Sequence, residues 1–152
     1  MTEQNINIRT VQNAIHTYWV FKNAINKETC QKIIDLGKNK WTQAKVQVDL
    51  QNKEQLNKKA RTSDIAWSSD DWLYNICWGY LNNANKNANW NFEFDHFEPM
   101  QFTKYKLNQF YDWHHDPFPE PYNTPNNSNF HGKIRKLSGI IQLSDPKDYK
   151  GG

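Results

Sequence analysis

The hydrophobic spacing of this chain changes once, near residue 91, and that change restricts the folds open to it. Before it, apolar residues recur at the helical period of about 3.6; after it, they alternate with polar ones as in a strand. Helices first and strands afterwards argue for an α+β arrangement. A chain of 152 residues is about one domain. At that length roughly 68–70% of the unfolded surface is buried on folding, enough for a real core. The hydrophobic fraction is only 37%, but aromatics supply 14%, seven Trp among them. Each large ring buries about 150–250 Å² and makes up for scarce aliphatic residues.

Residues 15 to 25, IHTYWVFKNAI, read as a short strand or an extended lead-in segment. Asn26 is a suitable N-cap for a helix whose Cys30, Ile33, Ile34 and Gly37 share one face. Gly37 or Asn39 would end it. KVQVD, with Val46 and Val48 on one side, has the pattern of a strand. A second helix is capped by Ser68 or Ser69, with Asp70 and Asp71 at the positive end of its dipole. Its stripe of Trp72, Leu73, Ile76, Tyr80, Leu81 and Ala84 marks a packing face, and NNANKNANW breaks it. Phe92 and Phe94, then MQFTKYKL (100 to 107), then RKLSGIIQLSD (135 to 145) carry the strand alternation. Between the last two, PFPEPYNTPNNSNFHGK can only be a long loop, of the kind that serves as a lid or stays disordered. No internal repeat is visible.

Charge excludes little on its own. The net charge of +3 is interspersed, and the densest basic stretch, QNKEQLNKKAR (51 to 61), reads as a solvated face. Electrostatic binding of nucleic acid needs a more concentrated patch, so no nucleic-acid partner is expected. Cys30 and Cys77 have no metal-pair spacing, and two lone thiols without a signal peptide fit a reducing, cytoplasmic setting. No apolar run approaches the ~20 residues that span a bilayer, so no membrane association is expected.

The informative stretch is QFTKYKLNQFYDWHHDPF, residues 101 to 118. In a strand, residues two apart share a face, so His114 and Asp116 would point together and His115 away. An imidazole and a carboxylate side by side make two corners of a 2-His-1-carboxylate triad, which leaves open positions on Fe(II). A His-x-Asp pair by itself is weak, since the same spacing arises by coincidence on surfaces.

Context strengthens it. QFTKY, Tyr111 three residues before His114, the His-x-Asp pair, Arg135 opening RKLSGIIQLSD, and P-x-D-Y-x-G-G at 146 to 152 follow in order, with RTSDIAW (61 to 67) and a Trp-rich helix upstream. This ordered set, over roughly residues 60 to 152, resembles the prolyl 4-hydroxylase-like branch of the 2-oxoglutarate/Fe(II)-dependent dioxygenases. The resemblance implies a double-stranded β-helix, or jelly roll, supported by N-terminal helices. Residues 1 to 95 would be the helical support region and 96 to 152 the first strands of the jelly roll. It implies Fe(II), 2-oxoglutarate and O₂, with ascorbate as reductant, and hydroxylation of a protein, peptide or small-molecule substrate, proline among the candidates. His114 and Asp116 would hold the metal. Tyr105, Ile140 and Gln142 would line the 2-oxoglutarate pocket, although Tyr105 also suits the edge of a core and Gln142 an ordinary sheet position. In the loop, Phe118, Tyr122 and Phe130 are candidate substrate contacts, or pack on one another.

The family's second His and its basic 2-oxoglutarate anchor come from strands beyond the position of Gly151-Gly152. His96, His115 and His131 are poor substitutes by position. The expectation is therefore a fragment of a longer protein, or a barrel completed by a partner chain. Two other classes stay open: a non-catalytic jelly-roll binding or structural module with a relict metal pair, and, more weakly, a zinc hydrolase.

Overall fold

A computed structural model describes residues 16–38, 40–47, 54–55, 58–116 and 120–150. Asn39, Val48, part of the 51–61 basic stretch, Pro117, Phe118 and Gly151-Gly152 lie outside the described residues. The fold is α+β. Two helices, α1 (Lys27–Gly37) and α2 (Asp71–Asn87), accompany a small antiparallel sheet. Its strands β1 (Thr42–Gln43), β4 (Asp64–Ser68) and β5 (Met100–Lys104) run in the order β1-β4-β5. A separate pair joins β2 (Val46–Gln47) to β3 (Glu54–Gln55). The main sheet takes strands from both sides of residue 95, so the two segments share one core.

α1 starts where its capping chemistry places it: Asn26 Oδ1 accepts from the Thr29 amide at 2.8 Å. Ile33 and Gly37 are buried on the expected face. Gly37 ends the helix, and it is needed for close packing as well. A Cβ there would sit 3.3 Å from the Trp41 ring and 3.4 Å from Phe102. α2 buries the expected stripe, with Leu73 and Ala84 most enclosed.

Both ends of α2 differ from expectation. β4 runs through Ser68, so the chain leaves the sheet too late for Ser68 or Ser69 to cap, and Asp70 takes the N-cap without a side-chain cap bond. At the other end the helix continues through the first six residues of NNANKNANW to Asn87, because Ala84 and Ala88 are buried there. Asn89 then adopts φ 58, the left-handed turn that ends many helices. The Asn85 side chain holds the exit by accepting from the Phe92 amide at 3.0 Å and donating to its carbonyl at 2.9 Å.

Strand pairing is also narrower than the alternation predicts. RTSDIAW supplies the central strand, β4, and its register sets Ala66 opposite Phe102. The lead-in segment 16–25 has no sheet partner among the described residues. Residues 91–95 form no strand: Asn89 and Asn91 both turn at positive φ, and Phe94 packs edge-on to Trp78 at 5.2 Å. Around Tyr111 an isolated bridge to Arg61 is the only strand pairing among the described residues, and His114 to Asp116 lie beyond it. RKLSGIIQLSD likewise has no ladder partner among the described residues, although Ile141 and Leu143 pack on the core. Among the described residues the alternation there is one of burial, without a sheet.

Ile33, Ala66, Leu73 and Phe102 form the core, flanked by Trp41, Trp72 and Met100. Burying such side chains stabilises by about 1.5–3 kcal/mol each. Ala66 and Phe102 project from the helix-facing side of β4 and β5, so Gln101 and Thr103 must project from the other. That second face is where the candidate site is built.

Candidate metal centre

Arg61 is the base of the site. It is only 5% exposed, and its Nε donates to Ser63 Oγ at 2.7 Å. Its Nη2 donates to Gln101 Oε1 at 2.5 Å and Thr103 Oγ1 at 3.3 Å, so β5 holds it through neutral oxygens. The guanidinium lies 4.2 Å from the centre of the Tyr111 ring. Tyr111 in turn stacks on His114, with centroids 3.7 Å apart and planes inclined by 17°. A column of Arg61, Tyr111 and His114 thus carries the imidazole up from the sheet, in place of the strand expected there. Cation–π and ring stacking contributions of roughly 0.5–2 kcal/mol make such a column directional.

His114 and Asp116 do come together. Nε2 of the ring stands 3.2 Å from Asp116 Oδ1, and both side chains are about two-fifths exposed, at 39% and 40%. His114 Nδ1 lies 2.8 Å from the Asp112 carbonyl. A carbonyl can only accept, so Nδ1 carries the proton and the neutral ring has its lone pair on Nε2. Nε2 and the carboxylate then present two lone pairs to each other. A cation between them resolves this, either a proton on Nε2 or a metal ion. Two donors about 2.0–2.2 Å from one ion at a right angle are about 3 Å apart, close to the observed separation. The carbonyl bond on the far nitrogen is the partner that metal-bound histidines usually have.

Asp116 is held from three sides. Its Oδ2 accepts from Ser138 Oγ, and its main-chain carbonyl accepts from Arg135 Nη1. Arg135 is itself gripped by Glu98, Nε to Oε1 at 2.8 Å and Nη2 to Oε2 at 2.5 Å. The Tyr122 hydroxyl donates to Glu98 Oε1 at 2.8 Å. Burial, and then that bond to Glu98, push the Tyr122 hydroxyl up to about 12. The Glu98 carboxylate also holds the Arg135 guanidinium above its ordinary value.

The remaining predicted residues are less gathered. Tyr105 follows β5 directly and is 50% exposed, its hydroxyl raised mainly by partial burial, with the Arg61 charge opposing. Ile140, 90% exposed, and Gln142 alternate with the core-packed Ile141 and Leu143 and project outwards. Neither makes a hydrogen bond or ring contact with the His114–Asp116 pair among the described residues. Tyr122 and Phe130 favour the self-packing alternative. Their rings meet at 5.8 Å, and Phe130 also meets His96 at 4.8 Å. The loop is closed by Tyr122 N to Lys133 O and Gly132 N to Tyr122 O, both 2.9 Å, with Gly132 at φ 74 where a side chain would be strained.

Among the described residues no third His, Cys, Asp or Glu joins the pair. A cleft of about 530 Å³ lined by Trp67, Ser68, Asp70, Glu98 and Pro99 reaches Glu98 but neither His114 nor Asp116. No helix among the described residues is long and apolar enough to cross a membrane. No family model, curated protein or solved structure matches this chain. Arg61, Glu98 and Ser138 were not marked by spacing. A lone Arg before a strand or a Glu before a Pro carries no periodic signal, and only the folded contacts single them out.

Proposed function

We propose that this chain contributes two iron ligands, His114 and Asp116, to a 2-oxoglutarate-dependent hydroxylase of the prolyl 4-hydroxylase-like branch. The supporting observation is the facing of two lone-pair donors at 3.2 Å, with the imidazole's other nitrogen committed to the Asp112 carbonyl. The sheet β1-β4-β5 is read as the opening part of a jelly roll, and a third donor is expected from outside the described residues, in this chain or a partner. With iron and 2-oxoglutarate bound, such a site uses O₂ to hydroxylate an unactivated carbon and releases succinate and CO₂. His114 would offer Nε2 and Asp116 Oδ1. Tyr111 shields one face of the imidazole, which keeps the ring from turning away. Tyr105, on the same side as Arg61, is the candidate for the cosubstrate pocket, with Ile140 and Gln142 as weaker ones. A protein or peptide side chain such as proline is the proposed substrate, with ascorbate maintaining the ferrous state.

A second reading has its own support. Both oxygens of Asp116 already have partners within the chain, His114 and Ser138, as in a structural pair. The protein would then be a non-catalytic binding or structural module. Succinate formation from 2-oxoglutarate, with added Fe(II) and ascorbate, separates the two. The hydroxylase reading expects little or no turnover from this chain alone and, once the third donor is supplied, turnover that disappears in His114→Ala. Turnover unchanged by that substitution would remove the ligand assignment.

A further inference from the structure

Residues 112–116 lie outside the sheet, and Asp116 is followed by Pro117, which has no amide to donate. Backbone pairing therefore does not fix the direction of the Asp116 carboxylate, as it would in a regular strand. The bonds that do fix it come from side chains. Arg135 Nη1 donates to the Asp116 carbonyl while the rest of its guanidinium is locked on Glu98. Glu98 stands two residues before β5, so the lock is anchored at the edge of the sheet. Arg135 and Glu98 side chains are 25% and 33% exposed, and their fork-to-fork geometry is more selective than a surface pair. Tyr122 donates to the same Glu98 carboxylate, closing the clamp from within the loop.

Taking His114 and Asp116 as the iron ligands, we propose that Arg135, clamped by Glu98 and Tyr122, is a positioning residue that holds Asp116 in its ligating direction. It touches neither the metal position nor a substrate; it acts through the Asp116 main chain. A lysine keeps the charge but not the fork, since an ammonium cannot grip Glu98 bidentately and reach Asp116 together. Lys133 offers an internal control. It pairs with Asp95 at 2.6 Å in the same part of the loop but makes no bond to Asp116.

The test uses the full chain with Mn(II) alone as probe, its affinity read by electron paramagnetic resonance and the fold by thermal melting. Arg135→Lys and Glu98→Gln are each expected to weaken Mn(II) binding by about tenfold or more, the usual scale for partners behind a metal ligand, whereas Lys133→Ala changes it by less than about twofold. A merely structural clamp would lower the melting midpoint without separating these affinities. Should Arg135→Lys fail to fold, Glu98→Gln decides alone. Binding within about twofold of wild type in the folded clamp variants, while His114→Ala abolishes it, would overturn the positioning role and keep the ligands. An equal loss in Lys133→Ala would assign the effect to loop docking and also overturn it. Equal binding by wild type and His114→Ala would instead remove the ligand reading, and the positioning role with it.

Discussion

The two faces of the β4–β5 pair are built on different principles. On one, Ala66 and Phe102 meet Ile33 and Leu73 in a continuous apolar contact. On the other, Gln101 and Thr103 hold Arg61, Tyr111 lies on Arg61, and His114 lies on Tyr111. The first face draws its stability from area removed from water, which is large and indifferent to direction. The second is a series of directional contacts, each worth about 1 kcal/mol net, in which one lost link misdirects everything above it. Stability should therefore follow the first face and ligand geometry the second.

Leu73→Ala gives the largest expected effect. Leu73 is 2% exposed, and deleting a buried leucine costs about 2–5 kcal/mol, a marked fall in the urea midpoint. The protein that stays folded should bind Mn(II) as wild type does. Weakened binding by that folded population would show that the two faces are not separable. Next comes Arg61→Ala, at about 1–3 kcal/mol, because leaving the fully buried Ser63 without its donor has a desolvation cost. Here the metal affinity should fall as well, since Tyr111 loses the cation beneath its ring. An Arg61→Ala protein that loses stability but keeps full affinity would break the column as an explanation.

Tyr122→Phe probes the clamp through pH. Its hydroxyl is raised from about 10 to about 12, by burial first and by Glu98 second, so the folded chain keeps the proton longer than the unfolded one. The stability this contributes is whole below about pH 10 and is lost as pH climbs towards 12. Phenylalanine does not ionise, so the variant's stability should decline less steeply over that window. Equal slopes in urea titrations across pH 9 to 12 would show that Tyr122 is not held as described.

The sequence made the apolar face readable and left most of the polar one obscure. Asn26, the α1 face and the α2 stripe follow from local capping and period, and each stands where expected. Strands were less secure because alternation reports burial on one side and says nothing of a ladder partner. MQFTKYKL found one in β4, whereas RKLSGIIQLSD kept the alternation without a ladder partner among the described residues. His114 and Asp116 are adjacent as expected, but for a different reason: a bend, a stack and a clamp bring them together. Arg61 and Glu98 reach the site across 53 and 18 positions of sequence, to His114 and Asp116 respectively, and no periodic pattern records contacts of that kind.

His114→Ala should have the smallest effect on stability and the largest on chemistry. The side chain is 39% exposed, so its loss should cost little beyond the stack on Tyr111, about 1 kcal/mol. Without metal, the variant should melt slightly below the wild type, by no more than the loss of its stack on Tyr111. A metal ion that binds only the folded site stabilises it by about 2.7 kcal/mol at a hundred times its dissociation constant. Added Mn(II) should therefore raise the wild-type midpoint and leave His114→Ala where it was. If His114 and Asp116 were instead a structural ion pair, the variant would lose the pair as well as the stack in buffer alone, and the metal would shift neither protein. The same two melting curves thus decide whether the cation between Nε2 and Oδ1 is a metal ion or a proton.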